Sequence, residues 1–484
     1  MSQPLFRPPV VAILGHVDHG KTTLLDYIRK TKLTSKEHGG ITQRIGAYEV
    51  ETGIKGYHTG KITFIDTPGH EAFTKLRLRG AEVADIALLL IDAKDSVMPQ
   101  TVESIAHINA AKTPCIVVIN KIDLPEAKPE KVKADLMKHD VVVEEKGGKT
   151  PSVAISAKTG KGVPELLESI LLLASELNLS YSPKSTPKAY IIETKKDKRG
   201  IAATVVIKDG TLNVGDAIFA EGKKAKIRAM INDLGKPISS AVPSLPFEFL
   251  GFDELPEVGA LISSTPGEET EKKPPSQRKT PFDMQAFLKG EEEKKLSLIV
   301  KAESQGSLEA VTSSLTKQEN VEIVSSGVGD INTSDVFLAK TARAIIIGFN
   351  TIPTTEAKDI AKQEKVVIKT YNIIYELLKE LVEVSQLLKE REEKEKNVKG
   401  EAKILATFVI HDQKIYGIRV TKGKINLNDN MDVYRDSSLV GKTKLMSLQT
   451  KAKKIDEVKK DQEAGMVFAP LLDIRVGDMI KSVL

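Results

Sequence analysis

The chain has 484 residues, 40% of them hydrophobic and 28% charged, the balance of a soluble globular protein with room for about three domains. The net charge is a mild +5, and the single cysteine, Cys115, excludes a disulfide framework and a cysteine-based zinc site; it reads as core within Cys115-Ile116-Val117-Val118-Ile119. The longest apolar runs, such as Ile86 to Ile91 and Ile170 to Ala174, are too short to cross a bilayer, and no basic-then-apolar leader opens the chain, so a cytoplasmic protein without a membrane partner is expected.

The first elements set the theme. Pro9-Val10-Val11-Ala12-Ile13-Leu14 is apolar and β-branched enough for a buried parallel strand, and Thr23-Leu24-Leu25-Asp26-Tyr27-Ile28 has helical spacing. Between them Gly15-His16-Val17-Asp18-His19-Gly20-Lys21-Thr22 fits the phosphate-loop pattern G-x-x-x-x-G-K-[ST]. In that context backbone N–H groups and a helix N-terminus face phosphates. The glycines permit close approach, the Lys21 ammonium neutralises terminal phosphate oxygens, and the Thr22 hydroxyl is a ligand for Mg²⁺. A chance glycine turn rarely meets all of these constraints.

A polar stretch ending in Gly39-Gly40-Ile41-Thr42 follows, with few apolar residues to fix it. Lys61-Ile62-Thr63-Phe64-Ile65-Asp66 then reads as a strand that delivers Asp66 to its carboxyl end, with Thr67-Pro68-Gly69-His70 after it. There an aspartate holds the Mg²⁺ shell and a glycine N–H senses the γ-phosphate. A third strand, Ile86 to Asp92, precedes a helix near Pro99, and a fourth runs from Cys115 into Asn120-Lys121-Ile122-Asp123. Asp123 can accept from the ring N–H and exocyclic amine of guanine, a donor pair adenine lacks, while the Lys121 stem packs on the ring. Ser156-Ala157-Lys158, after Val153-Ala154-Ile155, closes over the base. Four such elements at the ends of alternating strands predict a GTP/GDP site.

These motifs carry a resemblance. Gly15 to Thr22 with Thr23, and Asp66-Thr67-Pro68-Gly69-His70, resemble the translational GTPases. Arg7-Pro8-Pro9-Val10-Val11, Leu25-Asp26-Tyr27-Ile28-Arg29, Gly39-Gly40-Ile41-Thr42-Gln43 and Val97-Met98-Pro99-Gln100-Thr101 are similar to the initiation factor two family in particular. The resemblance implies Thr42 as a switch ligand to Mg²⁺ and His70 as the residue that positions the attacking water. It also implies Val17 and Ile41 as an apolar gate, although simple packing is a competing reading for those two, and Asp18 as a ligand for a monovalent cation. The family's variable N-terminal extension is not expected here.

Beyond Leu179, short β-rich runs with glycines predict a small barrel. Val205 to Asp216 has a partial echo in Ile418 to Asp429, and Glu257 to Ser263 in Arg475 to Ser482, so a second barrel of the same kind is expected at the end; convergent turn chemistry is the alternative. Ser264 to Lys295, rich in Pro, Glu and Lys, reads as a linker with at most a short helix at Met284 to Leu288. Leu298 to Val300, Val321 to Val324, Ala344 to Ile347 and Val366 to Ile368 alternate with helical stretches and predict a small parallel sheet, with Gly327-Val328-Gly329 a turn. Tyr371 to Lys399 reads as one helix, docked at Leu377, Leu381, Val384 and Leu388, standing in solvent from Lys389 to Lys396, and stopped at Gly400.

The predicted fold class is therefore multidomain α/β plus β: a phosphate-loop GTPase domain (1–180), a β-barrel (185–264), a linker (265–295), a small α/β domain (296–371), a connecting helix (372–400) and a C-terminal β-barrel (401–484). From Glu401 onward 12 Lys and 3 Arg face 11 acidic residues, an excess of +4 that hints at an anionic partner. By resemblance that barrel binds initiator tRNA, with Glu463 and Gly465 at family pocket positions, but Ile418 and Ala464 replace family cysteines, and Gln449-Thr450-Lys451 replaces a basic, basic, aromatic trio. Lys451, Lys453 and Lys454 meet tRNA phosphates or form a solvated cluster; both readings stand. The leading expectation is a ribosome-stimulated GTPase, monomeric off the ribosome, with ribosomal subunits and initiator tRNA as partners. The alternative is a GTP-dependent RNA-binding or ribosome assembly factor that delivers no charged tRNA.

Overall fold

The computed structural model describes residues 5–30, 46–69, 71–265, 295–318, 320–396, 398–410, 413–435, 438–450 and 453–483. The expectations for Ile41, Thr42, His70, Lys451 and the helix at 284–288 fall outside them. Two compact units emerge, Met1–Lys379 and Glu380–Leu484. No helix among the described residues is long and apolar enough to cross a membrane.

The first unit opens with a six-stranded sheet: β1 (Val10–Gly15), β2 (Gly46–Glu51), β3 (Lys61–Asp66), β4 (Ile86–Asp92), β5 (Cys115–Asn120) and β6 (Ser152–Ala154), in spatial order β2-β3-β1-β4-β5-β6. All neighbours are parallel except the edge pair β2 and β3. Every residue of β4 is buried, which is why its apolar run is continuous: helices cover both faces. α1 (Lys21–Arg29) and α5 (Val163–Glu176) supply Leu24, Leu25, Leu166 and Ile170 to one core. α2 (Thr74–Val83), α3 (Pro99–Ala111) and α4 (Pro129–Met137) supply Ala81, Ile105, Ile108, Val132 and Leu136 to the other.

An antiparallel barrel-like sheet follows: β7 (Lys188–Asp197), β8 (Gly200–Asp209), β9 (Ala217–Ala220), β10 (Lys223–Lys226), β11 (Ala229–Asn232), β12 (Pro237–Ile238), β13 (Pro246–Phe252) and β14 (Leu261–Ser263), in order β10-β9-β14-β7-β8-β13-β11-β12 around Ile191, Val205, Phe247 and Phe249. It is joined to the first domain by a buried ionic knot. Arg7 grips Asp85 through both terminal nitrogens (2.5 and 2.8 Å), Lys208 of β8 adds a third contact at 2.7 Å, and the Val10 N–H a fourth at 2.8 Å. Burial alone raises the Asp85 pKa, but these donors prevail and hold it down to about 2. Beside the knot the Ser244 hydroxyl donates to the Pro8 carbonyl, and the Thr63 hydroxyl to the Ser244 carbonyl, both at 2.6 Å.

The α/β domain has four parallel strands, β15 (Leu296–Ala302), β16 (Val321–Val328), β17 (Ile345–Phe349) and β18 (Ile368–Tyr371), in order β16-β15-β17-β18, with helices α6 (Gln305–Leu315), α7 (Thr333–Ala342) and α8 (Thr355–Gln363). It too is pinned to the barrel. Glu193 of β7, only 7% exposed, accepts from the Gly306 N–H (3.1 Å), the Thr194 N–H (2.9 Å) and the Ser304 hydroxyl (2.9 Å), while Ser304 caps α6. Burial pushes the Glu193 pKa up.

α9 runs Ile374–Lys396, shorter at both ends than the expected 372–400. Tyr371 stays in β18, and Gly400 lies inside a strand that starts at Val398, so it stops no helix. Ile374, Leu377 and Leu381 are buried as their spacing requires; the side chains of residues 388–397 lie outside those described. The second unit is a closed barrel of β19 (Val398–Ile410), β20 (Gln413–Asn426), β21 (Asn430–Arg435), β22 (Ser438–Thr450), β23 (Glu463–Ala469) and β24 (Met479–Val483), whose pairings run β19-β24-β21-β22-β23-β20 and back to β19. Ile404, Tyr416, Leu445, Met466 and Phe468 fill it.

Candidate nucleotide site

All four motifs lie at the carboxyl ends of β1, β3, β5 and β6, and buried hydrogen bonds hold them to one another. The loop after β1 turns through Gly15 (φ 146°), Asp18 (φ 63°) and Gly20 (φ 93°) into α1. Gly20 admits no side chain: a Cβ there would lie 2.5 Å from Asn120 Nδ2. That amide donates to the His19 carbonyl (2.9 Å), while Asn120 Oδ1 accepts from the Ala157 N–H (2.9 Å), so one side chain fastens the phosphate loop to both base-side loops. The Ser156 hydroxyl donates to Asp123 at 2.7 Å, and Lys121 pairs with Asp92 at 2.7 Å, fixing the stem predicted to pack on the base. Lys158 follows them and is exposed, whereas Ser156 and Ala157 are buried.

At the phosphate end, Lys21 is buried and donates to the Gly15 and His16 carbonyls (2.9 and 2.6 Å). Burial pushes its ammonium down to about 8, with Asp66 opposing the shift and Arg77 adding to it. His19 donates from Nδ1 to the Leu90 carbonyl (3.3 Å), and burial drives its pKa down to about 4, so the ring is the neutral Nδ1–H tautomer at pH 7. Its ring meets His16 edge to face at 5.1 Å. Asp66 is buried at the end of β3, level with Ile13, and the Thr67 hydroxyl donates to the Ile13 carbonyl at 2.7 Å. Pro68 leads to Gly69, where a Cβ would fall 2.5 Å from Lys21 Nζ and 3.2 Å from the Val17 nitrogen; the second loop therefore lies directly on the first. Thr22 and Thr23 open α1 beside them. A hydroxyl on the first turn of α1 and a buried carboxylate at the end of β3 are hard oxygen donors, which suits Mg²⁺.

Several contacts that build this site were not assigned from the sequence. Gln100 of α3 accepts from the Val17 N–H at 2.9 Å. Three residues on, Glu103 holds Arg77 through both oxygens at 2.7 Å, and Arg77 donates to the Pro68 carbonyl at 3.2 Å. Their partners lie far away in the sequence, 83 residues for Gln100 and Val17 and 26 for Glu103 and Arg77, so no local pattern marks them.

In the second unit, Glu463 pairs with Arg419 at 2.6 Å, Gly465 sits opposite Gln449, and the Thr450 hydroxyl donates to the Glu463 carbonyl at 3.4 Å. Ile418 and Ala464 face each other in register and are buried inside the barrel; the two substituted positions belong to its core.

Fold and site together define a phosphate-loop GTPase, and the family model described as elongation factor Tu GTP binding domain matches residues 7–176. Elongation factor G domain 2 matches 186–265, and translation-initiation factor 2 matches 270–382. The chain belongs to the translation initiation factor IF-2 family: over 98% of its length it is 43% identical to translation initiation factor IF-2 of Halothermothrix orenii, spanning 71% of that protein. It is likewise 43% identical to that of Bartonella tribocorum, of which it spans 58%. Among solved structures, GDP-bound aIF5B from Aeropyrum pernix is 25% identical with a TM-score of 0.46, covering 99% of this chain and 92% of that one. The two IF-2 sequences support an initiation factor rather than an assembly factor.

Proposed function

We propose that this chain is a ribosome-activated GTPase that brings initiator tRNA to the small ribosomal subunit and promotes subunit joining, hydrolysis permitting release. The observation that supports this most is a guanine-nucleotide site tied together by Asn120, in a chain whose separate closed barrel carries the excess positive charge. Asp123 reads guanine, Lys121 packs on it, and Ser156, Ala157 and Lys158 close over it. Lys21 and the N–H groups of the phosphate loop compensate phosphate charge. Thr22, Thr42 and, through water, Asp66 would hold Mg²⁺, which would supply positive charge against the phosphates, and Asp18 would serve a monovalent cation.

His70 orients the attacking water, with Val17 and Ile41 as its apolar flank. In the terminal barrel Glu463, Gly465 and Lys451 meet the acceptor end of the tRNA, and charge contributes more than recognition of the formyl group. The protein works in the cytoplasm, monomeric off the ribosome, and divides at 1–180, 185–264, 265–295, 296–371, 372–400 and 401–484. Single-turnover GTP hydrolysis by the full chain, with and without ribosomal subunits and initiator tRNA, tests it. Stimulation by subunits with retention of the tRNA is expected; no stimulation and no binding of free initiator tRNA would overturn it.

A further inference from the structure

The largest fully buried side chain among the described residues is a cation, Arg77 of α2, with no exposed surface. A guanidinium costs more to bury than an aliphatic chain of equal length, so space filling alone is poorly served by arginine. What the guanidinium does here depends on its planar fork. Nη2 takes both oxygens of Glu103 on α3 at 2.7 Å and the Thr74 hydroxyl at 3.1 Å, while Nη1 reaches back to the Pro68 carbonyl at 3.2 Å. Pro68 stands between Asp66 and Gly69, and Gly69 rests against Lys21 and Val17. On the same turn of α3 Gln100 holds the Val17 N–H. One helical turn thus grips both phosphate-side loops, the first directly and the second through Arg77.

We propose that Arg77 is a positioning residue for GTP hydrolysis: anchored by Glu103, it sets the height of the loop Asp66–Gly69 above the phosphate loop. The inference rests on reading that loop as the γ-phosphate sensor. GDP lacks the γ-phosphate, so its binding is insensitive to the setting, whereas GTP affinity and the hydrolysis rate both depend on it. Glu103 is 26% exposed in its side chain, so removing Arg77 strands no deeply buried charge, and Arg77→Met keeps the volume.

The test is single-turnover hydrolysis with ribosomal subunits present, with GTP and GDP affinities and thermal unfolding, for R77M, R77K and H70A. R77M is expected to lower the hydrolysis rate at least tenfold and weaken GTP several-fold while GDP affinity stays within about twofold, with R77K intermediate because a lysine reaches either Glu103 or Pro68 but not both. A folded R77M that hydrolyses within twofold of the parent overturns the proposal, as does a parallel fall in GTP and GDP affinity that tracks stability. H70A separates the two readings. If it hydrolyses at the parental rate, the sensor reading fails; if it is slow while R77M is not, only the role of Arg77 fails. Should R77M not fold, R77K gives the same comparison.

Discussion

The two barrels share one plan and are used in opposite ways. In the first, Gly259 N–H donates to the Ile191 carbonyl (2.7 Å) and Ile191 N–H to the Ala260 carbonyl (3.0 Å); in the second, Gly477 and Ile404, then Ile404 and Asp478, repeat those bonds at 2.9 Å each. The turn before β9 is closed by Asp216 accepting from the Asn213 N–H at 2.7 Å, that before β21 by Asp429 accepting from Asn426 at 2.9 Å. The ring order matches too, except that the long strand β22 corresponds to two pieces, β10 and β11. What differs is where charge is spent. The first barrel buries Lys208 and Glu193 against its neighbours, whereas the second pairs Arg419 with Glu463 in the open. The same plan thus carries buried joints to neighbouring elements in one barrel and a solvent-exposed ion pair in the other.

Four measurements can break or sharpen that contrast. Asp85→Ala leaves Arg7 and Lys208 buried without a counter-charge and should destabilise the first unit by about 4 kcal/mol in denaturant unfolding, with the second unit's transition unmoved. Because the folded Asp85 pKa lies near 2, below its usual 3.8, its contribution of about 2 kcal/mol is present above pH 4 and is lost as pH falls through 2. A parent protein whose two transitions shift equally over that window would remove the distinction.

Glu193→Ala strands three donors and should cost about 2–3 kcal/mol, again in the first unit only. Its folded pKa is raised, so its contribution is greatest below the unfolded value and declines as pH rises through the folded one. Glu193→Gln should therefore be milder than the alanine variant, and equal losses would count against a buried carboxylate as the joint. In the shared turn, Asp429 also binds the Ser482 hydroxyl at 2.6 Å and Lys399 at 3.0 Å. Asp429→Ala should then cost about 2 kcal/mol and Asp216→Ala about 1 kcal/mol, read from thermal unfolding; the reverse order would show that ring closure does not depend on this turn. Smallest is Arg419→Ala, at most about 0.5 kcal/mol, although it should reduce the salt dependence of initiator tRNA binding in filter assays.

The nucleotide site was legible because each of its motifs places specific residue types at neighbouring positions: Gly20 and Lys21, Asp66 and Gly69, Asn120 and Asp123. The order of domains followed from changes in period, and the barrel echo from Gly215, Asp216, Gly259 and Gly477. The ties between elements were not legible. Gln100 with Val17, Glu103 with Arg77, and Glu193 with Gly306 join distant segments, and nothing local in a glutamate on a strand announces that it will cap another domain's helix. Gly400 misled for a related reason: glycine ends helices, but here it lies in a strand where a Cβ would meet the Lys424 carbonyl at 2.3 Å. Alternation also gave no inside or outside for Ile418 and Ala464 until the register of β20 and β23 was known.

The joint at Glu193 has a consequence for chemistry aimed at this protein. Open parallel sheets receive small molecules where the strand order reverses, at the carboxyl ends, with an anionic group on the next helix's first turn. In the α/β domain that place is beside β15 and α6, and the barrel's own carboxylate is already seated there. An inhibitor designed for it would have to evict a tethered carboxyl group at very high effective concentration, and by succeeding it would act as a wedge between two domains rather than as a competitor of any ligand.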